Sequence, residues 1–492
     1  MSESGQSPSK LLSETQSAGP TWVRWQIVGL LMAYVVMCHF NRISISVAGT
    51  DRIMTQYGLD EPTMGVVYLA YLLAYTLCMT PGGWFIDRFG PKIALAVVGF
   101  GSAVFVVLTG VSGMIFRSAE YAMALLALLI VIRALTGVVS APIHPSHARS
   151  VSFWIPIKDR AWANGLVCCA ACLGIALTYV IFGFLIDWFD ARPIASGISG
   201  WSVAFVVSGV VTALLAVVWI VYATDRPAQH RLVNAQERQL IEQGDPYPGS
   251  EPDAESATLA AAKETRVGTP LADSGTCTKV SLLRNRSLVL LTLSYAAVGY
   301  FEYLFFYWLQ HYLKKVVGLD ERDSRFYATV CTLSMGAGML LGGWLADRSQ
   351  ARFGLRRGRA LVPMTSMILG AVFLGVGLLA NQVWWVVPCF ALAMAAGGAC
   401  EGPCWNTAVE LGGRRGGAAA GIFNTGGNVL GAFSTVITPL VSNSEYFNWQ
   451  ISFGLGCVIS LVGALLWLGI DPAERVGESD FLGAMPNANL PN

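Results

Sequence analysis

Long apolar stretches recur along the chain, and each has the length of a membrane-spanning helix. About 20 apolar residues, at about 1.5 Å of rise per residue, cross the hydrocarbon core of a bilayer. Residues 25–49 form the first such stretch, and Arg42 is its only charged residue. The pattern predicts twelve spanning helices, at about residues 25–49, 62–86, 92–113, 121–142, 162–187, 201–223, 287–313, 324–346, 360–380, 383–406, 417–441 and 449–470.

A polar interval divides these helices into two sets of six. This interval lies within residues 224–286, which are predicted to be a cytoplasmic linker loop. Six-helix bundles are predicted on either side, at 25–223 and 287–471, with polar cytoplasmic tails at 1–24 and 472–492. The predicted fold class is an all-α membrane protein that consists of two pseudo-symmetric six-helix bundles.

The two parts of the linker differ in composition. Its second part is rich in proline, glycine, serine and charged residues, which is typical of a flexible segment. In its first part, Asn234 and Glu237 have the spacing of a capping box, which predicts a helix start. The apolar side of this short helix is formed by Val233, Leu240 and Ile241.

Basic residues in the loops predict the orientation of the chain. The loops after helices two, four, eight and ten contain 12 lysines and arginines, whereas the opposite loops contain 7. Cytoplasmic loops carry the excess of basic residues, so we expect both termini in the cytoplasm. The protein is expected to be a multi-pass protein of the cell (inner) membrane.

One sequence motif occurs once in each half of the chain. It is a glycine pair and a tryptophan followed by an Asp-Arg pair, at Gly82-Gly83-Trp84 with Asp87-Arg88 and at Gly342-Gly343-Trp344 with Asp347-Arg348. The offset of 260 residues predicts an internal duplication. Transporters built from such repeats bind substrate between the halves and move one half against the other. The Asp-Arg pairs are therefore candidate gating residues, unless they only mark topology.

Composition agrees with a membrane protein and excludes several classes. Hydrophobic residues make up 54% of the chain, charged residues 13%, and the mean hydropathy is +0.54. The net charge of +1 gives no indication of nucleic-acid binding. The sequence contains no zinc, nucleotide-phosphate or hydrolase motif, so we predict neither a cofactor, a metal nor an enzyme activity. The expected partners are the lipid bilayer and a small solute, and the expected state is a monomer.

Residues 83–92, GWFIDRFGPK, resemble the cytoplasmic signature loop of the major facilitator superfamily. Other stretches resemble its anion:cation symporter branch, which includes bacterial sugar-acid and hexuronate transporters and the sialin, phosphate and vesicular glutamate relatives. These stretches are Asn41-Arg42 with 44–48, Arg133 to Gly137 with Ala141-Pro142 and Pro145, Asp225-Arg226-Pro227 with His230, Glu237 and Ile241, and Asn424 to Asn428. The resemblance covers nearly the whole chain and implies a twelve-helix transporter of organic anions.

The chain departs from that family at three positions. Members often have an aspartate immediately before the helix-one arginine, and this chain has Asn41. Many have a glutamate late in helix four, where this chain has Ser140, and a proline in helix seven, where it has Gln310. Because the two carboxylates are the family's usual proton-coupling groups, any coupling in this chain needs other residues.

Arginines inside the membrane are the main candidates for substrate binding. Arg42 and Arg133 lie in predicted helices one and four. Their guanidinium groups offer planar sets of donors that match a carboxylate, and such a pair is strong in a low-dielectric cavity. Charged side chains at this depth are costly and usually functional. The alternative is that each arginine pairs with a helix carbonyl or a fixed acid for packing.

Two acids lie inside predicted helices seven and ten, Glu302 and Glu401. A carboxyl group in a low-dielectric site can carry a proton, so either residue can replace the missing family carboxylates in ion coupling. The alternative is a structural pair with Arg42 or Arg133.

Aromatic and amide side chains can form the rest of a binding site for an organic anion. The candidates are Tyr75, Tyr303, Tyr307, Trp308, Gln310, Trp405, Asn424 and Asn428. Their alternative roles are packing between helices and, for the asparagines, hydrogen bonding between helices.

Together these features predict a secondary active transporter of a small organic anion, a carboxylate such as a sugar acid, which works by alternating access. We expect import with a proton or a sodium ion, because a potential of 100 mV opposes entry of one negative charge by about 2.3 kcal/mol. One alternative is an uncoupled uniporter or exporter of the same fold, which transport with and without a pH gradient would distinguish. The other is a transporter-like substrate sensor, which a long ordered cytoplasmic domain would favour.

Overall fold

The computed structural model describes residues 19–156, 159–192, 197–242, 282–380, 382–412, 416–443 and 448–471. The elements of this part of the chain are helices, and it contains no strands. We label the longer helices α1 (Val23–Ala48), α2 (Glu61–Ile115), α3 (Ala122–Ser140), α4 (Ile143–Trp154), α5 (Arg160–Leu177), α6 (Gly183–Ala191), α7 (Gly200–Tyr222), α8 (Ala235–Glu242), α9 (Arg286–Lys315), α10 (Glu321–Leu379), α11 (Val383–Gly412), α12 (Gly416–Ser442) and α13 (Trp449–Leu466).

Spanning helices account for nearly all of this structure. Eleven segments in the described part are long and apolar enough to cross a membrane. α12 is not one of them although it has 27 residues, because its glycines and the polar residues Asn424 and Asn428 lower its hydropathy. α12 packs against α2 and α9, which are spanning helices. Each of the twelve predicted spans therefore corresponds to a helix or to one segment of a longer helix.

The two longest helices, α2 and α10, each contain two spanning segments. They bend at Gly90, where φ is 80° and ψ is 161°, and at Gly354, where φ is 78° and ψ is 176°. Glycine enters this positive-φ region at low cost, whereas a side chain makes it strained. Both bends follow the repeated motif, so the halves share a backbone feature as well as a sequence motif. The sequence predicts loops between these spans, but in the structure these segments are mostly helical.

Asp225, at the start of the linker, packs against the first bend. Its Oδ1 accepts a hydrogen bond from Lys92 N at 2.8 Å. A Cβ atom at Gly90 would lie 3.0 Å from the same oxygen, so Gly90 provides both the positive φ and the space. This contact fixes the turn between two spanning segments to the end of α7.

The predicted linker helix is present as α8. Asn234 Oδ1 accepts from Glu237 N at 2.9 Å, as the capping pattern predicts. Glu237 does not complete the box, since its Oε1 accepts from Arg24 N at 3.2 Å and from Arg24 Nη1 at 3.0 Å. The buried carboxylate therefore connects α8 to the start of α1. Residues 243–281, including the part predicted to be flexible, lie outside the described residues.

The helices form two bundles, α1–α7 (the N bundle) and α9–α13 (the C bundle). They meet where α2 packs on α12 and where α5 packs on α10. The first contact is close, because a Cβ atom at Gly65 of α2 would lie 2.4 Å from the backbone oxygen of Thr435 in α12. Residues near the middle of α1 and α9 are buried between the bundles.

The contact between α2 and α3 gives a stability prediction. A Cβ atom at Gly137 would lie 2.3 Å from the backbone oxygen of Tyr71, which cannot move without shifting its helix. We expect Gly137→Ala to cost about 1–3 kcal/mol, as overpacking does, and to lower the melting temperature of the purified protein. Gly29→Ala is the control, since no atom lies within 4 Å of that position. Equal melting temperatures for the two variants would contradict this packing.

Candidate functional site

Arg42 lies in the last third of α1, near the middle of the spanning segment Val23–Tyr57, and only 8% of its surface is exposed. Its Cζ atom is 5.5 Å from the ring centre of Tyr71, 5.6 Å from that of Tyr75 and 4.8 Å from that of Tyr303. Among the described residues, no carboxylate oxygen lies within 4.0 Å of it, and its Nη2 has no hydrogen-bond partner. We call Arg42 and the three tyrosines the Arg42 cluster. It offers an uncompensated cation in an aromatic surround.

Arg133 lies directly behind α1. Its Nη2 donates to the backbone oxygen of Arg42 at 2.9 Å and its Nη1 to that of Asn41 at 3.5 Å. Its Cζ atom is 4.6 Å from the ring centre of Tyr71. Hydrogen bonding to helix carbonyl groups is the structural alternative to substrate binding that the sequence leaves open for Arg133. Arg133 therefore positions the backbone that carries Arg42 and adds a second positive charge nearby.

The positions at which the resemblance implies coupling carboxylates are neutral. Asn41 Nδ2 donates to Thr212 Oγ1 at 2.8 Å, and Ser208 Oγ donates to Asn41 Oδ1 at 2.5 Å. Ser140 Oγ lies 3.4 Å from Ser102 Oγ. These groups hydrogen-bond helices of the N bundle to one another and carry no ionisable carboxyl group.

Two acids lie close together in the C bundle, of which Glu302 is buried and Glu401 is half-buried. The carboxyl groups of Glu302, on α9, and Glu401, on α11, lie within hydrogen-bonding reach of each other. No donor among the described residues reaches Oε1 of either acid, so a hydrogen bond between them requires a shared proton. Tyr295 OH and Trp405 Nε1 each donate to Glu401 Oε2 at 3.1 Å. We call these four residues the carboxyl wall.

The carboxyl wall and the Arg42 cluster belong to one region. Glu302 immediately precedes Tyr303 in the chain, and the charges of Glu302 and Arg42 interact. They do not form an ion pair within 4.0 Å in the described structure. An acidic surface therefore lies on the C bundle and a basic one on the N bundle.

Amide groups of α12 complete the C-bundle side. Asn428 Nδ2 donates to Oδ1 of Asn424, one turn earlier, at 2.9 Å. Tyr303 OH donates to Asn428 Oδ1 at 2.6 Å. The predicted residues Tyr75, Tyr303, Asn424 and Asn428 are thus linked to Arg42 by direct contacts or through Tyr303. Trp405 reaches the region through Glu401.

Three predicted residues of α9 have other partners. Trp308 Nε1 donates to the backbone oxygen of Thr435 at 3.1 Å, so it joins α9 to α12. Gln310 Nε2 donates to Asp51 Oδ1 at 2.9 Å, away from the Arg42 cluster. Tyr307 packs on Tyr68 with ring centres 5.1 Å apart. A role of Tyr307, Trp308 and Gln310 in substrate binding stays a prediction, and the Oε1 atom of Gln310 has no hydrogen-bond partner among the described residues.

Ion pairs join the bundles at the end remote from the N-terminus, and the sequence analysis missed them. Arg325 of the C bundle donates through Nη2 to Asp51 Oδ2 at 2.6 Å and also contacts Asp187. Arg52 of the N bundle contacts Glu321 Oε2 at 2.8 Å. Lys314 Nζ lies 2.9 Å from Glu321 Oε1 and 3.8 Å from Asp51 Oδ1. We call this network, with Gln310, the interbundle latch.

The interbundle latch is partly buried, which distinguishes it from ordinary surface pairs. The side chain of Asp51 is fully buried, and that of Arg325 is 5% exposed. Gly183 at the start of α6 makes room, because a Cβ atom there would lie 2.5 Å from Arg325 Cδ. In the sequence these charges lie at the ends of apolar stretches, where they look like ordinary helix boundaries.

The candidate gating residues lie at the opposite end of the protein. Asp347 and Arg348 are exposed, and Arg348 Cζ is 4.4 Å from the ring centre of Trp344. Arg88 is also exposed and lies against Phe89. The side chain of Asp87 lies outside the described residues. A gating role for these Asp-Arg pairs stays a prediction.

Three histidines of the N bundle lie together, His39 on α1 and His144 and His147 on α4, and His144 is the half-buried one. His144 Nδ1 lies 3.1 Å from His147 Nε2. The ring centres of His39 and His144 are 5.5 Å apart. His39 Nδ1 lies 2.9 Å from the backbone oxygen of Val35. Because the group contains no acid, it adds no negative charge near Arg42.

Comparisons with known proteins agree with these observations. A family model described as Major Facilitator Superfamily matches residues 30–435. The chain is 30% identical over 472 residues to a protein of Bacillus subtilis (strain 168) named as a probable galactarate/D-glucarate transporter, and the match covers 94% of this chain and 95% of that protein. It is 26% identical over 467 residues to a D-galactonate transporter of Escherichia coli O6:H1, with 94% and 99% covered.

Solved structures resemble the fold at low sequence identity. A bacterial homolog of the human lysosomal transporter Spinster, in an inward-facing and occupied conformation, has a TM-score of 0.68 at 14% identity and covers 92% of this chain and 99% of that chain. A D-xylose-proton symporter has a TM-score of 0.65 at 14% identity with the same coverage. These likenesses concern the fold alone.

Proposed function

The chain belongs to the major facilitator superfamily, and on that basis we propose that it transports a small organic carboxylate across the membrane by alternating access. The single observation that carries this proposal is the environment of Arg42. A buried guanidinium without a carboxylate partner is costly in a low-dielectric region. A substrate carboxylate that enters between the bundles supplies the missing negative charge.

The Arg42 cluster orients such a substrate. The planar fork of Arg42 can bind both oxygens of a carboxylate, and the unpartnered Nη2 is available for one of these hydrogen bonds. Arg133 fixes the backbone of α1 at this point. Tyr303 contacts Arg42 from the C bundle, so an anion bound to Arg42 touches both bundles. Substrate binding is thereby linked to the relative position of the two halves.

A small carboxylate agrees with the relatives by their names, which are galactarate/D-glucarate and D-galactonate transporters. We propose that the protein lies in the inner membrane of the cell. The excess of basic residues in one set of loops then supports an orientation with both termini in the cytoplasm. In that orientation, the interbundle latch closes the side remote from the cytoplasm. The structure is then closed on that side.

We also propose that the Glu302–Glu401 pair carries the coupling proton. Two carboxyl groups in contact favour one shared proton, because two like charges repel. The titratable or charged groups around the pair are Arg42 on α1, Cys168 and Cys172 on α5, Tyr295 and Tyr303 on α9, and Cys400 and Cys404 on α11. A second proton bound with the substrate would offset the charge of a monovalent anion during import.

The coupling proposal is tested with the double variant Glu302→Gln/Glu401→Gln in proteoliposomes. We expect a pH gradient to drive accumulation of D-galactonate, galactarate or D-glucarate by the wild type. The variant should lose this accumulation, because it has no carboxyl group there to protonate, while counterflow of the same acid continues. Glu120→Gln, an exposed acid, is the control. Unchanged pH-driven accumulation in the double variant would show that the proton travels elsewhere, and absence of pH-driven accumulation by the wild type would show that transport is uncoupled.

A further inference from the structure

The bend of α10 at Gly354 carries a group of exposed arginines, which we call the basic bend. Its members are Arg348, Arg352, Arg356 and Arg357. In the described part of the chain, no carboxylate oxygen lies within 4.0 Å of a side-chain nitrogen of Arg348, Arg352 or Arg357. The acids beside the group are Asp347, which is also exposed, and Asp471, whose Oδ2 lies 3.6 Å from Arg356 Nη1. Positive charge therefore exceeds negative charge at this bend.

The other bend, at Gly90 in α2, follows the same motif but has different surroundings. There the chain itself provides an anion, because Asp225 packs against Gly90 and accepts a hydrogen bond from Lys92 N. At Gly354, no atom of the described residues lies within 4 Å of the place of a Cβ atom. Residues 83–92 contain two basic residues, Arg88 and Lys92, so orientation in the membrane does not require four exposed arginines at the second bend.

An apolar stripe of α10 leads directly to these arginines. The exposed residues that follow one face of the helix, three or four positions apart, are Leu341, Leu345, Arg348 and Arg352. Met339 lies on the opposite face and contacts Cys172 of the N bundle, with the two sulfur atoms 3.7 Å apart. The stripe is therefore turned away from the contact between the bundles. It presents apolar side chains next to positive charges.

We propose that the basic bend and this stripe bind anionic phospholipids. In the proposed orientation the bend lies at the cytoplasmic leaflet, where anionic headgroups attract clusters of basic residues. Guanidinium groups match the oxygens of a phosphate, and the exposed leucines contact the acyl chains. Arg348 Cζ is 4.4 Å from the ring centre of Trp344, and Arg352 Cζ is 5.5 Å from that of Phe353. Such aromatic residues are typical of the membrane interface. The proposal does not depend on the substrate of the Arg42 cluster.

The test compares phosphatidylglycerol, which is anionic, with phosphatidylcholine, which is zwitterionic, both with dioleoyl chains. Each lipid is titrated onto the purified full chain in detergent, and bound lipid is measured by native mass spectrometry. We expect phosphatidylglycerol to reach half-saturation at a concentration at least about tenfold lower. The variant Arg348→Gln/Arg352→Gln/Arg357→Gln should reduce this ratio to about twofold or less, because it removes three positive charges. The control Arg149→Gln/Arg231→Gln/Arg238→Gln removes three exposed arginines elsewhere and should keep the wild-type ratio.

A lysine variant separates loss of charge from misfolding. Arg348→Lys/Arg352→Lys/Arg357→Lys keeps the charges and should keep a ratio of at least about fivefold. Equal half-saturation by the two lipids in the wild type, or an unchanged ratio in the glutamine variant, would overturn the proposal. Displacement of phosphatidylglycerol by an equal concentration of inorganic phosphate would also overturn it, because the arginines would then bind phosphate from solution.

The acidic residues of the C-terminal tail are the rival occupant of the basic bend. The variant Glu474→Gln/Glu478→Gln/Asp480→Asn neutralises three of them in the full chain. We expect it to show the same preference for phosphatidylglycerol as the wild type. A preference that appears in this variant but not in the wild type would show that the tail binds the arginines, and the proposal would be wrong.

Discussion

Replacing Arg42 by alanine is expected to lower substrate affinity by about 100-fold. The change removes a charge-assisted, two-pronged contact from a buried site, and losing one partner of such a pair costs about 2–5 kcal/mol. At about 1.4 kcal/mol per factor of ten, a loss of about 3 kcal/mol gives this figure. Uptake of D-galactonate, galactarate and D-glucarate at micromolar concentration should become undetectable in proteoliposomes.

The lysine variant separates charge from geometry at the same position. Arg42→Lys keeps the positive charge but has a point-like ammonium in place of the planar fork, so we expect an intermediate loss of about tenfold. Arg149→Ala removes an exposed arginine of α4 and serves as the control for expression and reconstitution. If affinity is unchanged in both Arg42 variants, the carboxylate does not bind at Arg42.

Breaking the interbundle latch is expected to open the end of the protein that it closes. Arg325→Ala leaves the fully buried Asp51 without its main cationic partner. Removing one member of a buried ion pair costs about 3–5 kcal/mol, and separating the bundles would return Asp51 to water. The equilibrium between closed and open forms should therefore shift by about 100-fold or more toward the open form.

Spin labels can measure this opening. One label at Ser118 and one at Val316 would report the separation of the bundles at the latch end, in a background without reactive cysteines, because both positions are exposed there. We expect a longer distance in Arg325→Ala than in the otherwise unchanged protein. Arg322→Ala, an exposed arginine one turn earlier on α10, is the matched control and should show no change.

A charge-swapped double variant tests whether the opening is caused by loss of the ion pair between Asp51 and Arg325. Asp51→Arg/Arg325→Asp restores opposite charges at the two positions and should recover part of the short distance. If Arg325→Ala folds and the distance distribution matches that of the control, the ion pairs do not hold the bundles together. Recovery in the double variant together with lengthening in the single variant would assign the effect to the pair rather than to loss of a side chain.

The fold could be predicted because lipid restricts what a chain can do. Each span needs a long apolar stretch in which the helix satisfies its own backbone hydrogen bonds, so helix positions can be read from hydropathy. The turns were harder to predict. Between the two segments of α2, only Gly90 leaves the helical conformation, and it packs against Asp225, which lies far along the chain.

The candidate site was predictable in part, and residues with unusual chemistry were the easier ones. Arg42, Glu302 and Glu401 could be identified because each is a charged residue inside an apolar stretch. That the two acids meet could not be foreseen, since they lie on different helices. The contact of Gln310 Nε2 with Asp51 could not be foreseen either, because a sequence pattern does not name the partner of a side chain.

The interbundle latch was missed for a related reason. Asp51 and Arg325 lie at the ends of apolar stretches, where charged residues ordinarily meet water. In the structure they are buried against each other because the two bundles close over them. Pairing between distant helix ends depends on the packing of whole bundles, which local patterns do not encode.

The central claim is that a substrate carboxylate binds the free guanidinium of Arg42 between the two bundles. An experimental structure of the full-length protein in the presence of saturating D-galactonate tests it most directly. The account predicts density for the carboxylate against Arg42, enclosed by Tyr71, Tyr75 and Tyr303. Density for the acid at another place, or a guanidinium of Arg42 paired with a fixed acid of the protein while the ligand is absent from the cluster, would contradict it.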